Sequence, residues 1–358
     1  MKMRRFVYTL LCCLFVLQAR ADVDLIVWQQ SSGAPAVILP KKRNESFYSA
    51  VNRYFRNLNR IQKTADFSRI DLADHGTISE FNPKSKNRII TAVNANMVDD
   101  MYLSGSRIQR NIKLLNNNGA ETYIIALGAE LGLNVSEVKS FHDKIAESFD
   151  LMISLGGRDI DPSLYLEKNR KAVSVNYVTD KLELDRVKSF KNKDKGLFFG
   201  ICRGHQLGAV ADGHTLYQDL SEDTHSNTDR HVNLDGKNAT EQQTWHKVYV
   251  MNSMLYRFLK NQSYVEVNSI HHQAVRMSQK GQSFAVALAE GDMLVEGLQS
   301  YNQKSLSVQF HAEFPEEISQ NKEFSEKGRS ILRGVIAYAR LLRQNRKIVT
   351  SQCASIFL

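Results

Sequence analysis

The sequence predicts an α/β fold over residues 88–345, an open, mostly parallel sheet with helices on both faces. Three observations predict it. Short apolar runs of strand length alternate with amphipathic stretches of helical length. A length of 358 residues with 42% hydrophobic and 24% charged residues is ordinary globular composition, which excludes a disordered, collagenous or coiled-coil chain. Beyond the N-terminus no apolar run approaches the ~20 residues needed to span a bilayer, which excludes a polytopic membrane protein.

The chain opens with Met1-Lys-Met-Arg-Arg5, an apolar stretch from Phe6 to Leu17, and Ala19-Arg20-Ala21. These are the three parts of a secretory signal peptide with an A-x-A cleavage site, so residues 1–21 are expected to be removed and the mature chain to begin at Asp22. A retained membrane anchor fits less well, because the stretch is short. Export to the periplasm or the extracellular space follows. Cleavage takes away Lys2, Arg4, Arg5 and Arg20 and no acid, lowering the net charge from +9 to +5. The basic balance is mostly an export signal and no nucleic-acid partner is expected, nor membrane insertion after cleavage. Of four cysteines, only Cys202 and Cys353 remain in the mature chain, so there is no disulfide framework and stability rests on the core.

Residues 22–87 read as an N-terminal helical extension. Between Asn44 and Gln62, Phe47, Tyr48, Val51, Tyr54, Phe55, Leu58 and Ile61 recur at helical spacing, with Arg53, Arg56 and Arg60 on the opposite face. The helix is expected to dock on the main body with the three arginines outward, as a solvated face or a secondary anion site.

From Arg88 the elements follow in order. Ile89–Val93 reads as a buried strand, Ser106–Asn117 as a helix closed by Asn118-Gly119, and Glu121–Leu127 as a strand. Ser136–Phe149 is a helix, Leu151–Leu155 a strand ending in Gly156-Gly157, Asp180–Lys191 a helix, and Gly196–Ile201 a strand running into Cys202. Shorter strands follow at Lys247–Met251, Ser263–Asn268, Ser283–Leu288, Leu294–Gln299 and Leu306–Gln309, then a closing helix over Glu326–Arg343 and a tail at 346–358. No internal repeat is present.

The segment Leu197-Phe-Phe-Gly-Ile-Cys202-Arg-Gly-His-Gln206 carries the chemistry. An apolar strand runs into G-x-C-x-G and then a helix, the cysteine form of a nucleophile elbow. Gly200 and Gly204 let the chain turn sharply and place Cys202 at a helix N-terminus, whose partial positive charge favours the thiolate. His311 follows an apolar strand in Leu306-Ser-Val-Gln-Phe-His311-Ala-Glu313, so its ring can project over the sheet edge while Glu313 fixes its tautomer. Leu155-Gly-Gly-Arg-Asp supplies a glycine loop, in which a backbone N–H of Gly157 or Arg158, with that of Arg203, is suited to hold an oxyanion. His225, His231 and His246, with Asp223 and Asp229, match no metal-ligand spacing, so neither a metal nor a cofactor is expected.

Five co-linear motifs, GGRDIDPSLY (156–165), GICRGHQ (200–206), DGHTLYQDL (212–220), VNSIHHQAV (267–275) and VQFHAE (308–313), resemble the class I glutamine amidotransferase-like superfamily. The match is to its gamma-glutamyl hydrolase branch, peptidase family C26, with the gamma-glutamyl-GABA hydrolases as near relatives. The resemblance covers roughly residues 88–340 and implies a flavodoxin-like fold. It also implies a Cys202–His311–Glu313 triad, and a glutamyl pocket using Gly157, Arg203 and Gln206 with Ser269 and His271 on the acyl side. Ala312 stands where the family usually has Pro, and Gly213-His214 where it usually has a Gly-Gly pair.

The function these features imply is an exported cysteine hydrolase acting on a gamma-glutamyl small molecule or peptide through a thioester. Two other readings are an amidase acting on another amide, such as a cell-wall glutamyl bond, and a catalytically silent binding module. Ammonia transfer to an ATP-consuming synthase is not expected outside the cytoplasm.

Overall fold

The computed structural model describes residues 22–31, 33–61, 76–83, 85–95, 107–224, 228–237, 242–313 and 321–356. The expected signal segment, 1–21, lies outside them. The centre of the fold is six mutually parallel strands. They are β2 (Val37–Lys42), β4 (Ile89–Asn94), β5 (Ala120–Ile125), β6 (Leu151–Ser154), β7 (Leu197–Ile201) and β14 (Ser305–Val308), in the spatial order β2-β5-β4-β6-β7-β14. Every residue of β4, β6, β7 and β14 is buried, as a sheet covered on both faces requires. The open, helix-covered α/β sheet expected from the alternating pattern is therefore present, in a larger and more mixed form.

Both flanks of the parallel centre are antiparallel. On one side β13 (Val295–Ser300), β12 (Ser283–Ala289), β9 (Thr244–Val250) and β10 (Tyr264–Ser269) continue outward from β14. Two short strands, β8 (Thr215–Tyr217) and β11 (Ala274–Arg276), pair beside β13. On the other side β1 (Val23–Gln29) pairs with β2, and β3 (Thr77–Glu80) with β1.

The N-terminal region corrects two expectations. Residues 22–87 are not a helical appendage, because β2 lies parallel on β5, with Val37 opposite Ile124 and Ile38 opposite Ile125, and β1 and β3 extend that edge. The reason is legible afterwards: Val23-Asp-Leu-Ile-Val-Trp28 and Val37-Ile-Leu39 are short runs rich in β-branched and aromatic residues. The predicted helix is present as α1 (Phe47–Ile61), burying Ala50, Val51, Tyr54, Phe55 and Leu58. Arg53 is not outward but buried beneath it. Its guanidinium pairs with Glu45 at 3.0 Å and donates to the carbonyls of Pro40 (2.7 Å) and Leu131 (3.0 Å). Arg56 and Arg60 are exposed.

The remaining helices are α2 (Arg107–Asn117), α3 (Val135–Ser148), α4 (Tyr177–Asn192), α5 (Arg203–Ala211), the short α6 (Leu220–Asp223) and α7 (Met254–Phe258), and α8 (Lys322–Ile356). A capping box starts α3. Asn134 Oδ1 accepts from the Glu137 N–H at 2.9 Å, and Glu137 returns the bond to the Asn134 N–H at 2.8 Å. Helix α8 continues through the expected tail, since no Gly or Pro follows Arg343 to stop it. It is pinned to the sheet by Arg343 and Arg346, which reach the carboxylate of Asp150 at 3.0 and 2.6 Å. No helix among the described residues is long and apolar enough to cross a membrane.

Candidate active site

The site is built where β7 meets α5. Cys202 joins them with φ +53° and ψ −111°, a backbone conformation that a side-chain-bearing residue adopts only under tertiary constraint. Two glycines make the turn feasible. A Cβ on Gly200 would stand 2.4 Å from the carbonyl oxygen of Gly204, and one on Gly204 only 2.0 Å from that of Ser154. Neither contact leaves room for an atom. The backbone of Cys202 is tied on both sides, donating to Val308 O at 2.9 Å and accepting from His205 N (2.9 Å) and Gln206 N (3.1 Å). Cys202 stands at the N-cap of α5, where the helix dipole favours negative charge.

His311 stands three residues past β14, and its Nδ1 is 2.8 Å from Glu313 Oε1, both side chains almost wholly buried. Asn268, near the end of β10, clamps the backbone of His311. Its Oδ1 accepts from His311 N at 2.9 Å and its Nδ2 donates to His311 O at 3.4 Å. The ring and the thiol meet at Gly156, where a Cβ would lie 2.6 Å from His311 Cε1 and 3.4 Å from Cys202 Cβ. Burial alone would disfavour the imidazolium, but the charges and hydrogen bonds of Glu313 and Cys202 outweigh it and push the ring up to about 10.

The expected binding residues divide differently. Gly157 is exposed beside the buried Gly156. Arg158 is half-buried, donating to Thr179 Oγ1 at 2.6 Å and lying 3.9 Å from Asp180. The Arg203 side chain is buried and turned into α4, where it bonds Glu183 (2.6 Å) and Asp180 (2.8 Å), so only its backbone N–H faces the elbow turn. Its guanidinium anchors α5. Gln206 is likewise engaged internally, bonding Gln273 O at 3.2 Å and Gln309 Oε1 at 3.3 Å.

Ser269 and His271 belong to a buried cluster that reaches the elbow helix through Gln273, whose carbonyl also accepts from Gln206. Ser269 Oγ is 3.5 Å from His231 Nδ1, and His271 Nε2 is 3.4 Å from Glu296 Oε1. Of the histidines and acids weighed from the sequence as metal ligands, His231 and His246 join this cluster. Asp223 instead pairs with Arg170 at 2.9 Å, and His225 lies outside the described residues. The spacing argument overlooked Glu296 and His271 because they arrive from other strands.

Sequence reasoning also passed over Asn268, which stands inside the quoted motif VNSIHHQAV, and the pair Asp159–His272. His272 Nε2 is 3.0 Å from Asp159, and its Nδ1 is 3.7 Å from Asp219, so the glycine loop is tied across the chain. Burial opposes charge on His272, but the two carboxylates prevail and its pKa is raised.

The family model of peptidase C26 matches residues 89–313, well over half of the chain. The chain belongs to the peptidase C26 family. The Enterococcus hirae protein NtpR is 32% identical over 190 residues, 52% of this chain and 75% of NtpR. A glutamine amidotransferase-like protein of Lactococcus lactis subsp. lactis, YvdE, is 34% identical over 167 residues, 46% of this chain and 66% of its own. The chain thus spans about two thirds to three quarters of the length of these relatives. Among solved structures, a glutamine amidotransferase from Thermotoga maritima is similar over 72% of this chain and 94% of its own, at 16% identity and a TM-score of 0.41. Cys202, His311 and Glu313 all fall inside the segment that the peptidase C26 model matches.

Proposed function

We propose that this protein is an exported cysteine hydrolase that cleaves gamma-glutamyl amide bonds with Cys202 as nucleophile, His311 as base and acid, and Glu313 as its orienting carboxylate. Membership of peptidase C26 supports an amide-hydrolysing function. One observation carries the finer reading: a Cβ on Gly156 would meet both the His311 ring and Cys202, while Nδ1 of the same ring is 2.8 Å from Glu313. This proximity supports a nucleophile, a base and an orienting group acting together.

In this reaction the Cys202 thiolate bonds to the gamma-carbonyl carbon, and the carbonyl oxygen takes up negative charge. Backbone N–H groups of Arg203 and of the 156–158 loop serve as its donors. The carbon–nitrogen bond breaks as the His311 imidazolium gives its proton to the leaving amine. Water then loses a proton to His311 and attacks the thioester, the carbon–sulfur bond breaks, and glutamate is released. Export rests on the tripartite leader of residues 1–21, and it favours plain hydrolysis over ammonia transfer to a synthase.

The test is amine release from a panel of gamma-glutamyl amides by the chain beginning at Asp22, with iodoacetamide labelling of Cys202 run in parallel. Turnover of gamma-glutamyl amides, abolished by labelling, is the expected result. Turnover only of other amides would move the assignment to an amidase of different specificity. A labelled cysteine with no turnover of any amide would leave a binding module.

A further inference from the structure

Four side chains from four separate segments converge in the antiparallel wing, away from the elbow in sequence and unused by the proposed reaction. They are His231 after a turn at 228–230, His246 on β9, His271 just past β10, and Glu296 on β13. All four are at least nine-tenths buried, Glu296 completely. Glu296 Oε1 lies 3.3 Å from His246 Nε2, 3.4 Å from His271 Nε2 and 3.8 Å from His231 Nδ1. The rings of His246 and His271 stand 4.7 and 4.9 Å from that of His231.

These separations are too long for good hydrogen bonds, which run about 2.7–3.2 Å for nitrogen and oxygen. Among the described residues neither oxygen of Glu296, neither nitrogen of His246 and not Nε2 of His271 has a hydrogen-bond partner. A buried carboxylate without a close partner is costly, and a cation among these atoms would relieve that cost. Ligand atoms of His231, His246 and Glu296 all lie within 4.8 Å of one another, near enough to share one ion such as zinc.

The outer hydrogen bonds agree. His271 Nδ1 is 2.9 Å from the carbonyl oxygen of Gln273. A carbonyl can only accept, so Nδ1 carries the proton, and in the neutral ring Nε2 turns a lone pair toward Glu296. His231 Nε2 is 2.8 Å from Asp292 Oδ2, which likewise leaves Nδ1 facing inward. Two inward lone pairs meeting a carboxylate repel unless a cation lies between them. A ring fixed by a carboxylate or a carbonyl on its outer nitrogen is the usual support of a metal-bound histidine.

We propose that His231, His246 and Glu296 are three ligands of a buried divalent-cation site, best suited to zinc, with Asp292 orienting the His231 ring and His271 standing beside Glu296. Two imidazoles and one carboxylate leave one position of a tetrahedral zinc ion for a water molecule. The ion braces the wing that holds His311. Asn268, three residues before His271, clamps His311, and the Glu296 carbonyl accepts from Gln309 N at 2.9 Å.

The experiment uses the full mature chain carrying Cys202→Ala, so that the elbow thiol cannot hold the ion. After chelator treatment the protein is loaded with zinc or cobalt(II). Metal analysis is expected to give one ion per chain, and cobalt the intense visible bands of tetrahedral coordination. X-ray absorption of the zinc form should show two imidazoles and oxygen ligands at about 2.0–2.2 Å and no sulfur. Zinc in excess should raise the melting temperature by roughly 5 °C or more. Glu296→Gln and His246→Gln should each lower zinc affinity at least about tenfold. Failure of the Cys202→Ala protein to retain any ion, or a ligand set with sulfur or fewer than two imidazoles, overturns the site without recourse to a ligand variant. Metal content and spectra are independent of whether Cys202 hydrolyses anything.

Discussion

Asn268 holds the backbone of His311 at both of its polar groups, accepting from the N–H at 2.9 Å and donating to the carbonyl at 3.4 Å across 43 residues of sequence. The ring of His311 is aimed at the thiol by Glu313, but the main chain that carries it is set by Asn268. Asn268→Ala is therefore expected to lower kcat by roughly 10²-fold, the usual cost of a small misplacement, with KM changed little. Asn268→Asp keeps the acceptor and should recover part of the loss. Equal rises in KM for both variants would show that Asn268 touches substrate instead.

Cys202→Ala and Cys202→Ser should reduce turnover to below about 1% of the parent with the fold intact, because the elbow is shaped by glycines and the sheet. His311→Asn should be nearly as severe. Glu313→Gln should be milder, since it orients the base and does not itself transfer the proton. Steady-state rates, with circular dichroism as the folding control, decide this.

The two glycines nearest the reacting groups should differ in kind. A methyl at Gly204 would meet the Ser154 carbonyl at 2.0 Å, and backbone cannot yield, so Gly204→Ala is expected to yield little folded protein. At Gly156 the neighbour at 2.6 Å is the His311 ring, so Gly156→Ala should fold and lose activity. Soluble yield and melting temperature separate the two outcomes.

The raised pKa of His311, from 6.5 to about 10, links the pair to stability. A folded-state pKa above the unfolded one contributes stability that is fully present below about pH 6.5 and is lost as pH rises through about 10. The stability difference between the parent and His311→Asn should therefore be larger at pH 6 than above pH 10. In Cys202→Ala the ring should titrate lower, because one of the two charges raising it is gone; histidine NMR signals followed against pH report both.

Arg53→Gln removes a guanidinium that serves Glu45 and two buried carbonyls, and should cost about 2 kcal/mol or more. Arg56→Gln and Arg60→Gln, at exposed positions, should each stay within roughly 0.5 kcal/mol of the parent in denaturant unfolding. Deleting residues 22–63 strips β1, β2 and α1 from the edge of β5, and insoluble protein is the expected result.

The sequence by itself determined what local pattern can encode. Alternating apolar runs specified β4 to β7 and the helices between them to within a few residues, and G-x-C-x-G specified the turn at Cys202, because both depend on neighbours a few positions apart. It also carried the buried stripe of α1. Tertiary structure decided whatever depends on partners distant in the chain. The same short apolar runs serve a loop or an edge strand until another strand pairs with them, so only the pairing of Val37 and Ile38 with β5 made residues 22–42 part of the sheet. Arg53 lies on the polar side of its helix, yet Glu45 and the carbonyls of Pro40 and Leu131 bury it, and no periodicity records them. His231, His246, His271 and Glu296 are spread over 66 residues with no ligand spacing to betray them. They meet because antiparallel strands bring remote positions within a few ångströms of one another, and that proximity is a property of register, which is settled only when the whole sheet forms.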